Sequence, residues 1–258
     1  MSLVTNAQYL YYLNVGQSET ITNNLTPIIS AAEQKVKEYL HRDLEWTAYS
    51  SEYYDGNGKS KLVLRQFPII YVASIYEYNG ITSGNVEDWD LLVEHTDYDR
   101  LVVPQEAHYV YLDGYTFAEN IQNYKITYYA GYTAGDTLVS GDVTLGKKYR
   151  IATRSIVDFT AIGASANTVG TQFVATSTGV TLSAVDSVTE LVTLPEDIKL
   201  ACKELVALYW NTSPMKNNWI GLQTASNNAG SATQNLTLDT EAEMKILKRI
   251  EHHRAINV

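Results

Sequence analysis

Cysteine is nearly absent. Cys202 is the single one in 258 residues, which excludes a disulfide framework and a multi-thiolate metal site and fits a reducing compartment. Long apolar runs are missing as well, since no stretch approaches the roughly 18 residues that a membrane-spanning helix needs. The opening MSLVTNAQYL has neither a basic n-region nor an apolar h-region, so a secretory signal is not expected. Basic residues are in deficit, with 19 Lys and Arg against 29 Asp and Glu and a formal charge of -10. That balance argues against non-specific binding to DNA or to an anionic membrane. Tyrosine is in surplus, at 20 residues beside 4 phenylalanines and 4 tryptophans. A tyrosine buries a large apolar body and keeps a polar tip, which suits sheets and protein interfaces better than ordinary helical cores.

Along the chain the pattern begins helical. Thr5 is a plausible N-cap for a short helix over Ala7 to Leu13, which Gly16 ends. Leu25, Ile28, Ile29, Ala32, Val36, Tyr39 and Leu40 then recur at helical spacing, predicting an amphipathic helix that stops near His41. Pro27 leaves two options for its start: Thr26 caps and Pro27 is the first helical residue, or an earlier turn from Glu19 is kinked at Pro27. From Trp46 the period changes to two. Asp55-Gly56-Asn57-Gly58 separates Ser51–Tyr54 from Leu62–Leu64 and reads as a hairpin turn. Further strands are expected at Ile69–Val72, Ser74–Tyr78, Leu101–Val103, Tyr109–Leu112 and Tyr124–Tyr129.

Residues 138–193 are rich in Ser, Thr, Val, Ala and Gly and poor in charge, as in a small all-β unit. Helix returns at Pro195, with Glu196 and Asp197 at its positive end and Ile198, Ala201, Cys202, Leu205 and Tyr209 on one face. The polar stretch Gln223–Thr237 is expected to be extended, or mobile when unbound, and Thr240–Glu243 spells a capping box for a last helix. The expected class is α+β: a small helical bundle with a β-hairpin or sheet element, plus an inserted small all-β domain. The host domain would comprise 1–137 and 194–258, with 138–193 inserted at an exposed loop.

The candidate chemistry is weak. Gly58-Lys59-Ser60 invites a phosphate-loop reading, but Tyr53 stands where the first glycine belongs and a strand follows instead of a helix. Glu87-Asp88-Trp89-Asp90 and Asp97-Tyr98-Asp99 read as solvated acidic loops, and neither completes a calcium-loop pattern. Of His41, His95, His108, His252 and His253, none forms a zinc-protease pair. The adjacent His252 and His253 should point apart on a helix and favour its C-terminus together with Lys248, Arg249 and Arg254. Cys202 lies on an apolar stripe and reads as a small buried hydrophobe. An enzyme is not expected, and neither a cofactor nor a metal is implied.

Three blocks in order resemble the head–tail adaptor (connector) family of tailed bacteriophages. The first is Ser2-Leu3-Val4-Thr5 followed by the helix ending Val36-Lys37-Glu38-Tyr39-Leu40. The second runs from Tyr53-Tyr54-Asp55-Gly56-Asn57-Gly58 through Leu62-Val63-Leu64-Arg65-Gln66-Phe67-Pro68-Ile69, with Val72 to Ile75 after it. The third is Ile126-Thr127-Tyr128-Tyr129-Ala130-Gly131-Tyr132, which in the family a short loop joins to a helix like Leu194–Ala201. The chain departs from the family at about 138–193, where Gly146–Thr176 looks like a small β module that recurs in phage virion proteins.

The resemblance implies a structural virion protein. Twelve copies would form a ring beneath the portal protein, join it to a stopper or tail-completion protein, and let DNA pass through the lumen without specific binding. It also implies location in the virion neck after assembly in the host cytoplasm, with no membrane partner. Another neck or tail-completion protein is the alternative, as is a virion module that recognises glycan through the insertion. Adaptor termini commonly reach the portal, so the expected docking residues are Trp219, Ile220 and Leu222, the helix face Ile246, Leu247 and Ile250, and the basic Lys248 and Arg249. The competing expectation for that helix is ordinary packing on its own domain.

Overall fold

The computed structural model describes residues 3–81, 87–104, 108–183, 185–212 and 240–255. They fall into two compact units, one made from both ends of the chain (up to residue 42, and from 194 onward) and one from residues 43–193.

The first unit is helical. Helix α1 (Asn6–Leu13) opens with a complete capping box, in which Thr5 accepts from the Gln8 N–H and the Gln8 side chain accepts from the Thr5 N–H. Helix α2 (Glu19–Leu40) is capped by Ser18 and contains Pro27, so the longer of the two sequence options is the one adopted. Pro27 supplies no N–H to the turn before it. Nearby hydroxyls close on the backbone instead, with Thr26 Oγ1 donating to the Thr22 carbonyl at 2.8 Å and Ser30 Oγ to the Thr26 carbonyl at 3.1 Å. His41 ends the helix in a left-handed conformation at φ 54°.

Helix α3 (Glu196–Thr212) packs on α2. The predicted stripes meet their purpose: Leu25, Ile29, Ala32, Val36 and Leu40 are buried, as are Ile198, Ala201, Cys202 and Leu205. Helix α4 (Thr240–Lys248) lies against α3, and a 3-10 turn (Glu251–His253) follows it. Thr240 is already helical, and Glu243 turns toward the other helices, taking Lys35 Nζ at 2.9 Å and the Tyr209 hydroxyl at 3.2 Å.

The second unit is β. Its largest sheet has the order β1–β7–β3–β4, all antiparallel, from Thr47–Gly56, Asn120–Ala130, Ile69–Ile81 and Glu87–Leu91. A three-stranded sheet orders β2 (Lys61–Val63), β6 (Tyr109–Asp113) and β5 (Arg100–Val102). The expected hairpin across Asp55–Gly58 is corrected here, because β1 pairs with β7 while β2 pairs with β6. The glycines serve other ends. A Cβ on Gly56 would sit 1.7 Å from the Ala118 carbonyl oxygen, and Gly58 takes φ +69°. The acidic loop Glu87–Asp90 is also corrected: it is edge strand β4, anchored by Trp89 against Tyr78 and the Lys125 ammonium. Charge on an edge strand discourages further pairing.

Residues 137–190 carry a four-stranded sheet, β11–β10–β13–β8 (Gln172–Val174, Lys148–Thr153, Ser187–Glu190, Thr137–Leu138), beside the pair β9 (Gly141–Asp142) and β12 (Thr181–Leu182). This part has a hydrophobic core of its own, with Tyr149, Ile151, Phe159, Phe173 and Val188 buried. A separate core around Phe117, Tyr124, Ile126 and Tyr128 serves the other two sheets.

Candidate functional site

Polar side chains gather at a few points, and most of them are structural. In the β unit the tyrosine surplus is organised around carboxylates. Glu52 Oε2 accepts from the Tyr54 and Tyr128 hydroxyls at 2.6 and 2.9 Å. Glu77 accepts from Tyr124 at 2.7 Å and from Tyr115 at 2.5 Å. Burial, reinforced by the carboxylate, pushes the Tyr124 hydroxyl up to about 12 and drives Tyr54, Tyr115 and Tyr128 higher still. Such hydroxyls keep their protons and donate them to the carboxylates, so they tie strands together and are poor acids. In the helical unit Glu33 has the same part: its Oε1 accepts from Tyr9 at 2.8 Å and from the Leu3 and Val4 N–H groups at 2.9 and 3.3 Å. Sequence reading missed both arrangements: Glu52 and Tyr54 are two residues apart, but the other tyrosine partners stand 24 to 76 residues from their carboxylates and leave no local pattern.

The phosphate-loop reading fails on its amides. The Gly58 N–H donates to the Phe117 carbonyl at 2.7 Å, and the Lys59 N–H donates to Asn57 Oδ1 at 3.0 Å. Asp97 is spent on the Val93 N–H at 2.7 Å. Cys202 is fully buried, as its stripe predicts.

The remaining cluster is in the helical unit. Asp197 stands in the first turn of α3, where its Oδ1 accepts from the Ile198 N–H at 2.9 Å. His253 Nε2 lies 2.8 Å and His252 Nε2 3.1 Å from Asp197 Oδ2. The two rings are 4.1 Å apart between centroids. The expectation that adjacent histidines point apart is overturned, because they sit in a 3-10 turn instead of the preceding helix. Buried Ile250 holds that turn against the bundle, and the Ala255 N–H bonds the Leu40 carbonyl at 2.9 Å. Partial burial pushes the Asp197 carboxyl up, but hydrogen bonding and charge from His253, the Ile198 N–H and His252 together outweigh it and leave the group below the usual carboxylate range. Among the described residues this is the one group of three His, Cys, Asp or Glu side chains with metal-ligand spacing.

The expected docking residues divide. Trp219, Ile220 and Leu222 lie outside the described residues. Ile246, Leu247 and Ile250 are buried within the helical unit, as the competing expectation of ordinary packing has it. Lys248 is exposed, while Arg249 pairs with Glu204. The basic end is thus partly neutralised within the unit, where Lys245 also meets Glu241 at 2.8 Å. Among the described residues no helix is long and apolar enough to cross a membrane.

No protein-family model matches the sequence, and no curated protein matches it. Among solved structures the chain is similar to one in the neck of an empty gene transfer agent particle computed with C6 symmetry. That match has 14% identity and a TM-score of 0.42, covering 100% of this chain and 92% of that one. A chain in the neck of the native particle, computed with C12 symmetry, matches at 14% identity and TM-score 0.39 over 98% of this chain and 88% of that one. A chain in the virion of the native gene transfer agent matches at 11% identity and TM-score 0.32, covering 99% and 91%.

Proposed function

We propose that this chain is a structural virion protein of a phage-like particle, a head–tail adaptor in the neck. In this reading its copies form a ring of twelve beneath the portal protein and join it to a stopper or tail-completion protein. DNA passes through the lumen without specific binding. Assembly would take place in the host cytoplasm.

The observation that supports this most directly concerns the junction inside the third adaptor-like block. Strand β7 runs through Ile126–Ala130, and helix α3 begins at Glu196, just after Leu194-Pro195. Between them the chain makes its long excursion and returns to its point of departure. The Thr133 N–H bonds the Val192 carbonyl at 2.9 Å, Thr133 Oγ1 bonds the Leu191 carbonyl at 2.8 Å, and Thr133 bridges Thr193. Adjacent ends are what an insertion into a shorter loop requires, and a short loop is what the adaptor resemblance implies there. In this reading the host domain is 1–137 with 194–258, and 138–193 is the inserted all-β domain. Docking on the portal falls to the arm before α4, with Trp219, Ile220 and Leu222, and to exposed Lys248. Ile246, Leu247 and Ile250 are buried within the helical unit and Arg249 pairs with Glu204, so in this reading they stabilise that unit and do not meet the portal themselves.

The reading is tested on purified particles with a gold-labelled antibody raised against the chain. Label at the junction of head and tail supports it. Label on the capsid surface or the tail tip, or none on mature particles, overturns it.

A further inference from the structure

We propose that Asp197, His252 and His253 bind one transition-metal dication of the zinc class, which clips the C-terminal turn to the start of α3. The three donor atoms, two imidazole nitrogens and one carboxylate oxygen, all lie within 4.8 Å of one another. A tetrahedral zinc ion with bonds of roughly 2.0–2.1 Å separates its donors by about 3.3 Å. The two nitrogen-to-oxygen separations, 2.8 and 3.1 Å, reach that value by opening a few tenths of an ångström. His252 and Asp197, 64% and 41% exposed, are free to make that shift, while His253 at 20% is the more fixed donor.

The donor chemistry selects the ion. Two imidazoles with one carboxylate suit zinc, nickel or copper, whereas calcium and magnesium take oxygen ligands. Three protein donors leave a fourth position, and the exposure of His252 opens it to water. The scaffold is firm on both sides. Asp197 is held by the Ile198 N–H in the first turn of α3, and the histidine turn is anchored by buried Ile250. A simple hydrogen-bonded cluster, with both rings donating to Asp197, is the competing account of the same geometry.

The two accounts part on metal titration of the full chain after chelator treatment. Calorimetry with zinc chloride should give one saturable site per chain, and the melting temperature should rise with zinc but not with magnesium or calcium. His252→Gln, at an exposed position, should keep the helical circular dichroism and weaken zinc binding at least about tenfold, the lower end of the effect of disturbing even an outer-shell partner. Asp197→Asn and His253→Gln should do the same, and His95→Gln should leave binding unchanged. Absence of saturable binding to the parent chain overturns the proposal. So does binding that His252→Gln and His253→Gln both leave intact.

Discussion

A tyrosine hydroxyl donated to a carboxylate does more than fill space. Tyr54 and Tyr128 on half-buried Glu52, Tyr115 and Tyr124 on half-buried Glu77, and Tyr9 on buried Glu33 each give an acid a donor in place of the water it has lost. Tyr128→Phe keeps the ring but removes one donor from Glu52 and the acceptor of the Gln66 N–H. It should cost about 1–3 kcal/mol, read from the shift of the urea midpoint. The same hydroxyls set an alkaline limit. Burial, with Glu77 and Glu243 respectively, raises Tyr124 and Tyr209 to about 12. Their contribution is therefore complete below the ordinary tyrosine value of about 10 and is lost as pH rises toward 12, where the unfolded chain sheds protons that the folded chain retains. Urea midpoints should fall steadily across that interval, in step with growth of the tyrosinate absorbance. At this scale the sequence is least informative. The surplus of tyrosine was visible in composition, but its partners were not. The convergence of His252 and His253 on Asp197 depends on a 3-10 turn and on 56 residues of intervening chain.

Elements were more legible where periodicity and caps agree. The stripe from Leu25 to Leu40 and the Thr5 cap follow from local chemistry, and the structure keeps both. Strand β4 escaped notice because Glu, Asp and Asp are poor strand formers, and the packing of Trp89 on Tyr78 and Lys125 overrides them. Asp-Gly and Asn-Gly mark a turn correctly but do not say which strands pair across it. Helix α4 carries a prediction of its own. Its residues Glu243, Ile246 and Leu247 are buried against the bundle, so its amides should be protected from hydrogen exchange in the free protein. Exchange at the rate of an unfolded segment would show that α4 docks only on a partner.

The chain forms two units, the helical one drawn from two separate stretches, with an excursion in the β unit whose ends meet at Thr133 and Thr193. The texture change near residue 137 marked its beginning, because Ser, Thr, Val and Gly replace the charged pattern on either side. Its attachment was not legible. Trp46 Nε1 donates to the Gly146 carbonyl at 3.3 Å, and the Lys147 ammonium lies over the Trp46 ring. Replacing residues 138–193 with a short Gly-Ser linker should leave a folded product with native helical circular dichroism. Loss of soluble protein would mean that the two β cores fold only together.

The proposed assembly on a portal is put to the test by co-expressing the chain with the portal protein of the same particle, purifying through the portal, and imaging the product by electron microscopy. The account predicts co-purification at one chain per portal subunit and a ring of twelve copies on the tail-facing side of the portal. A chain that stays monomeric and elutes apart from the portal would contradict it.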